Sequence, residues 1–554
     1  MRLEGGRTIG GHWEGVDMRT IRILSSIAVV GLVACSSGTV ITTTGGKASD
    51  TTGSQGTTDD TSATDPSQTG DPTDPASPSP PLVEGLAISS VAVFQGVKVD
   101  VVKDGEAVTK RNAPVVANRP GLLRVYVTPS SGYSEREVTA ELRLVDGSTR
   151  LPILKDTKVI TRASSDADLD STFNFELPAA SLAVGITYQV FLTAKDGAVA
   201  NGTNGARFPQ DGGVASLEVE PSGKLKIVVV PVKYEADGSG RVPDTSAAQL
   251  ERYKKTFMSR YPATEVEITA RQPFSWTTAI APNGSGFSQV LNAITQLRRS
   301  DGAAADVYYY GALAPAASFS SFCQRGCVTG LSTVVENPKT SFLRASVGVG
   351  YPGEDATNTA AHEIGHAHGR SHAPCGGAQG VDPDYPYAQG SIGVWGYDIL
   401  GKTLMSPTKG KDMMGYCPNE WVSDYTFTAL FDRIAAVNGH NATSATGSTA
   451  DGVGASAAAA MHGRQTYRMA VVAADGSIES ASDIELDEEP AGGELRAATF
   501  VSATGQTLGQ RAAQFFPYDH LPGGVLVVPQ AGTDATLGSW SSVRVRGVRA
   551  ALTR

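Results

Sequence analysis

Apolar residues recur at every second position in short runs between Glu84 and Glu220, as in SVAVFQGVKVDVV, LLRVYVTP, EVTAELRLV, FNFELP and ITYQVFLTA. Such alternation puts one set of side chains on one face of a strand, and the DG, NRPG and PSSG breaks supply turns. Residues 84–222 are therefore expected to form a β-sandwich. From residue 223 the period changes. KLKIVVVPVKY is a continuous apolar run, as in a strand buried on both faces, while SAAQLERYKKTFMSRY and SGFSQVLNAITQLRRS carry the three-and-four spacing of amphipathic helices. TEVEITARQ and ADVYYYGAL add strands between helices, and CVTGLSTVV is expected at an antiparallel sheet edge where an extended peptide could pair. RASVGVGY leads into a further helix expected to start near Asp355 as N-cap, and VSDYTFTALFDRIAAV closes the region as a helix. Residues 223–440 thus read as an α/β (α+β) unit with a twisted mixed sheet. Small residues over 441–460 form a linker, and residues 461–554 return to strand-like runs, a second flanking β-domain expected to be sandwich-like.

The other end of the chain has a different pattern. Residues 1–34 read as a signal peptide, with translation expected to start at Met18: Arg19 and Arg22 precede an apolar core from Ile23 to Val33. That core is too short to span a bilayer. Leu32-Val33-Ala34-Cys35 resembles the end of a bacterial lipoprotein signal, which implies that Cys35 carries a lipid and anchors the chain to a membrane. The expected destination is the outer membrane or cell surface; cleavage without lipidation, giving a secreted protein, is the alternative. Residues 35–83 hold almost only Ser, Thr, Asp, Gly and Pro, cannot bury a core, and read as a disordered stalk.

A length of 554 residues accommodates three or four domains, so the chain is multidomain. The formal charge of −10, with no basic stripe interleaved with aromatics, argues against a nucleic-acid partner. A monomer is expected.

The chemistry concentrates between Ala361 and His372, AHEIGHAHGRSH, where four of the eight histidines fall within this one short stretch. On a helix His362 and His366 lie about 40° apart around the axis, so both imidazoles leave one face. Glu363 stands next to the first ligand, within reach of a water on the same metal. Gly369 can take the left-handed conformation that ends a helix and turns the chain, which lets His372 return to the metal from a third direction. Three nitrogen donors with an open fourth position describe one catalytic Zn2+, whereas a structural site is normally closed by a fourth residue. His368 falls at a non-ligand offset. The bland reading, a polar surface helix that happens to carry histidines, is disfavoured by the clustering.

This HExxHxxGxxH pattern, with Asp412–Cys417 reading DMMGYC, resembles the metzincin clan of zinc metallopeptidases, whose signature adds a methionine turn. The chain from about Lys224 to Asn438 also looks like a bacterial secreted subgroup related to mucin-degrading metalloproteases. The resemblance implies that Met414 is the turn methionine beneath the metal and that Tyr416 touches the zinc or steadies the oxyanion; a packing phenol is the competing reading for Tyr416. The glycine- and aromatic-rich stretch Gly376–Lys411 would wall a substrate pocket, with Tyr385, Tyr387, Trp395 and Tyr397 lining it or packing the loop.

With Cys35 used otherwise, four cysteines remain. A Cys375–Cys417 bridge would tie the ligand loop to the turn, and Cys323 and Cys327 would close a small loop; a second metal site on these cysteines is the alternative. Taken together, the sequence reads as an exported zinc endopeptidase acting on proteins or glycoproteins, with Glu363 as general base. The rival is a surface-anchored binding protein that uses its β-domains and keeps the metalloprotease core as scaffold.

Overall fold

The computed structural model describes residues 80–194, 204–440, 465–473, 478–530, 540–545 and 548–551. The signal segment, Cys35, the stalk through residue 79 and the segment 441–460 lie outside the described residues.

Two antiparallel sheets form the first part. One runs Glu106–Ala107, Lys98–Lys103, Leu86–Phe94, Gly121–Pro129, Phe173–Leu177 in spatial order, and the other is built on the pair Arg136–Asp146 and Thr187–Ala194. Their alternating inward residues, among them Leu123, Val125, Val138 and Leu142, share one buried cluster. Arg119 joins these sheets to the helix-bearing unit next to them. Its fully buried guanidinium donates to the carbonyls of Ala263 (2.7 Å), Gln95 (3.2 Å) and Met258. Burial lowers its pKa to about 9, and the three carbonyls supply acceptors that replace the water it has lost. Trp421 adds a bond from Nε1 to the Gly96 carbonyl at 2.8 Å.

The central sheet contains β1 (Lys224–Tyr234), β2 (Glu265–Ala270), β3 (Val307–Leu313), β4 (Gly330–Ser332) and β5 (Ala345–Val349). Its order is β2-β1-β3-β5-β4, all neighbours parallel except β4, which runs antiparallel to β5 at the edge. The buried apolar run of β1 is what a strand with neighbours and covered faces on both sides requires. Helix α1 (Ala247–Arg260) starts at Ser246, whose Oγ accepts from Gln249 N, and buries Tyr253 and Phe257; α2 (Phe287–Ser300) buries Val290, Leu291 and Ile294.

Helix α3 (Glu354–Ala367) lies against β5 and carries the histidine motif. Gly353, not Asp355, occupies its N-cap with a φ of 127°, and Glu354 and Asp355 sit in the first turn. The carboxylates there complement the helix dipole, so the acidic pair favours the same start without capping it. Ala360, Ala361, Ile364 and Ala367 give α3 a thin buried face that lets it approach the sheet closely. Helix α4 (Asp424–Val437), capped by Ser423, comes after the turn that closes the site.

The last part departs from expectation. Where a second sandwich is expected, the described residues form one antiparallel seven-stranded sheet, with β6 (Gln465–Val472), β7 (Ile478–Leu486), β8 (Glu494–Ser502), β9 (Thr507–Pro517), β10 (Gly524–Pro529), β11 (Trp540–Val545) and β12 (Val548–Ala551) in the order β7-β6-β10-β9-β8-β11-β12. Period-two alternation accounts for it. Met469, Val471, Val525 and Val527 join the buried cluster of α2, β3 and β5, while Ala470, Val472, Leu526 and Val528 point to the opposite face. The helix-bearing α/β unit thus serves as the second layer of this sheet.

Candidate metal centre

Helix α3 ends where the sequence places the turn. Gly369 has a φ of +83°, its N–H bonds to the His366 carbonyl at 2.8 Å, and Arg370 N bonds to the Gly365 carbonyl at 3.0 Å. A Cβ at Gly369 would lie 2.8 Å from the Val335 carbonyl and 2.7 Å from the Arg433 guanidinium, so glycine is required twice over. The turn swings His372 back beside His362 and His366, with ring centroids 5.3 and 4.6 Å away.

Each of the three rings is held through its Nδ1. The acceptors are the carbonyls of Met413 for His362 and Arg370 for His366, both at 2.6 Å, and of Gln379 for His372. A carbonyl can only accept, so each Nδ1 carries the proton and each Nε2 presents a lone pair. The Nε2 atoms of His362 and His366 then face each other 3.0 Å apart as two acceptors. That arrangement is repulsive unless a cation lies between them, and it is close to the about 3.3 Å edge of a tetrahedron of zinc–nitrogen bonds. The donor set therefore fits a metal ion. Burial lowers the basicity of all three histidines, with the neighbouring imidazoles adding to it; His366 is brought down to about 3. Neutral rings are the form that binds metal.

Met414 lies beneath this cluster and is buried; Asp412 holds the turn by accepting from Met414 N (2.9 Å) and from both the amide and hydroxyl of Ser423. The Cys375–Cys417 and Cys323–Cys327 disulfides are both formed. The first ties the loop after His372 to the bend after Met414, and Tyr416 N bonds to the Cys375 carbonyl at 3.1 Å. The Tyr416 hydroxyl comes within 3.1 Å of His372 Nε2. Burial raises its pKa, and the carboxylates of Asp519 and Glu363 raise it further, so it remains a proton-bearing phenol.

Glu363 is completely buried, and neither carboxylate oxygen has a hydrogen-bond partner among the described residues. Its side chain fits because Gly330 of β4 leaves the space a Cβ would fill. Burial and the adjacent Asp519 carboxylate raise its pKa well above the ordinary range. A cleft of about 400 Å³ opens beside it, lined by His362, Glu363, Asn358, Thr359, Tyr416 and His520 among others. His368 does not join the centre: it is buried, stacks on Tyr308 with centroids 4.3 Å apart, and donates from Nδ1 to the Ile364 carbonyl at 2.8 Å.

The four aromatics of the 376–411 stretch are not in the lining of this cleft. Tyr385 and Tyr387 bond to the Ser391 carbonyl and the Asp424 carboxylate, and Tyr397 packs edge-on to Phe94 of the first sheet, with Trp395 in the same cluster. They fasten the loop to its neighbours.

Two residues of the cluster escape sequence reasoning. Asp519 and His520, in the turn between β9 and β10, reach the same point: the five potential ligand atoms of His362, His366, His372, Asp519 and His520 lie within 4.8 Å of one another. The only signal was a polar Asp-His pair inside an apolar stretch, FFPYDHLPGG.

Convergent neutral histidines beside a buried, unpartnered carboxylate are the working parts of a metallopeptidase, and comparison with known proteins supports that class. Residues 176–440 match the model of peptidase family M66, a stretch that ends well before Asp519. No curated protein matches. Among solved structures, a putative β-galactosidase from Bacteroides fragilis is 12% identical over 41% of this chain and 33% of that one, with a TM-score of 0.13. A Bacteroides uniformis β-glucuronidase is 11% identical over 41% of this chain and 27% of that one, with a TM-score of 0.14. The chain spans a third or less of the length of these proteins, and likenesses this weak carry no argument.

Proposed function

We propose that this protein is a zinc endopeptidase of metzincin type, exported and anchored through Cys35, that hydrolyses extracellular proteins or glycoproteins. The observation that carries the reading is the pair of acceptor Nε2 atoms 3.0 Å apart, next to the orphaned carboxylate of Glu363. His362, His366 and His372 would hold the metal, and a zinc ion bound there would acidify water and polarise a scissile carbonyl. Glu363 accepts the proton of the attacking water on its free oxygens and delivers it to the leaving amine. Its raised pKa favours the protonated state needed for that second transfer. Tyr416, in the lining of the same cleft and with its hydroxyl 3.1 Å from His372 Nε2, offers its hydroxyl hydrogen to the oxyanion. Met413 orients His362 through its carbonyl.

The test is digestion of a peptide library and of a mucin-type glycoprotein by the full chain, with products read by mass spectrometry. Internal cleavage that stops with a zinc chelator and in Glu363→Ala supports the reading. Absence of any cleavage by zinc-loaded protein in which the site is demonstrably open, or release of acyl groups instead of peptides, contradicts it.

A further inference from the structure

The edge of the central sheet is occupied. β4 is the outermost strand, and its exposed side would otherwise present unpaired backbone groups to solvent. The turn after β9 covers it: Asp519 N bonds to the Ser332 carbonyl (3.3 Å), Val334 N to the Pro517 carbonyl (3.2 Å), and Thr333 bridges Tyr518 in antiparallel sense. Pro517–Asp519 therefore adds to the sheet as an extended peptide adds to an open edge.

That segment also delivers side chains to the metal centre. The Asp519 side chain is fully buried; Oδ1 accepts from Ser332 N at 2.9 Å, and Oδ2 lies 3.1 Å from His366 Nε2. An oxygen at that distance from one nitrogen donor, within a common cluster, stands at the position of a fourth ligand. His520 fills the remaining space. Its Nδ1 bonds to Asp519, its Nε2 is 3.8 Å from Glu363, and its ring stacks on Tyr416 with centroids 5.3 Å apart. His520 thus forms a wall of the cleft that Glu363 and Tyr416 also line, and narrows the space that a scissile carbonyl must enter. Phe516 and Tyr518 are buried in the cluster that includes Leu331, Val335 and Phe342, so the segment is held from its base. Asn292 and Gln296 of α2 bond to Ser480 and Ser482 of β7 and fix the sheet behind it.

We infer that Asp519 is a fourth protein ligand to the metal and that Pro517–His520 occupies the substrate's own strand position, making the C-terminal β-sheet an internal inhibitor of the site. This rests on the peptidase reading above. A carboxylate from β-augmenting backbone combines the two contacts by which an extended peptide product would be held, edge pairing and an oxygen on the metal. Hydrolysis then requires that the segment leave β4.

The experiment compares full-length wild type, Asp519→Asn and Asp519→Ala, each loaded with zinc and each probed with acetohydroxamic acid, a small metal-binding anion. Zinc content and the zinc X-ray absorption spectrum are recorded first. The inference predicts one zinc in all three, three imidazoles plus a carboxylate oxygen in wild type, and loss of the carboxylate in the variants. Removing an internal competitor should tighten hydroxamate binding about tenfold or more in calorimetry. Asp519→Asn keeps the acceptor for Ser332 N and so guards against a folding artefact in Asp519→Ala. Equal hydroxamate affinity in all three proteins, or a wild-type spectrum with three imidazoles and water only, overturns the inference and leaves the peptidase reading standing. Failure of all three to bind zinc defeats that reading instead.

Discussion

Gly365 and Met414 are in direct contact: a Cβ added at Gly365 would stand 2.5 Å from the Met414 sulfur. Gly365 lies between the two helical histidines, so the turn methionine reaches the helix only because this position has no side chain. Gly365→Ala gains helix propensity but must push Met414 away, and overpacking of this kind costs about 1–3 kcal/mol. The displaced turn should also move the Met413 carbonyl that orients His362. Urea unfolding of the metal-free chain and zinc competition titration should both weaken in this variant.

The Cys375–Cys417 bridge has a sequence separation of 42 residues and joins the two stretches that carry His372 and Tyr416. Loop-closure entropy for such a span amounts to about 4 kcal/mol. The double variant Cys375→Ser/Cys417→Ser should unfold at clearly lower denaturant and bind zinc more weakly. The corresponding Cys323/Cys327 variant, with a separation of only four, should lose less stability.

Burial lowers His368 from 6.5 to about 3, and its proton-poor ring sits on Tyr308. The unfolded chain binds a proton at this residue below about 6.5 while the folded chain does not until about 3, so folding stability falls as the pH drops through that window. Urea midpoints of the metal-free protein at pH 7 and pH 4 should show the loss. His368→Gln should show a smaller one, although it starts from a less stable state.

Glu363 shows the opposite sign. Its folded pKa is raised above 4.5, so its contribution is complete below that value and is lost as the pH rises through the folded pKa. Burial beside the Asp519 carboxylate makes the ionised form costly in the folded chain, and that cost opposes folding once the pH exceeds the unfolded value. Glu363→Gln should therefore raise the thermal midpoint of the metal-free chain at pH 8, measured by calorimetry, while abolishing hydrolysis. A catalytic group held at the expense of stability is expected to behave this way.

Much of this site was legible because its spacing is local. His362, Glu363 and His366 share a helix, Gly369 has a backbone reason to be glycine, and His372 comes within one turn of it. The α1 and α2 helices were readable from their three-and-four periodicity, α3 from the spacing of its histidine motif, and the strands of the first two sheets from alternation or continuous burial. Asp519 and His520 were not, because nothing in a local pattern states which sheet edge a distant turn will cover. The single C-terminal sheet was missed for the same reason: Met469 and Ala470 are both buried, and alternation cannot tell whether the second layer comes from the same domain or another. The aromatics at 385–397 read equally as lining or packing until Phe94 and Asp424 were seen against them.

The most direct measurement of the central claim is zinc stoichiometry by equilibrium dialysis and elemental analysis of the full chain and its variants. One zinc per chain is predicted for wild type and for Glu363→Ala, with the ion lost from His362→Ala, His366→Ala and His372→Ala. A folded wild-type protein that remains metal-free in excess zinc, or one whose zinc survives removal of all three histidines, would contradict it.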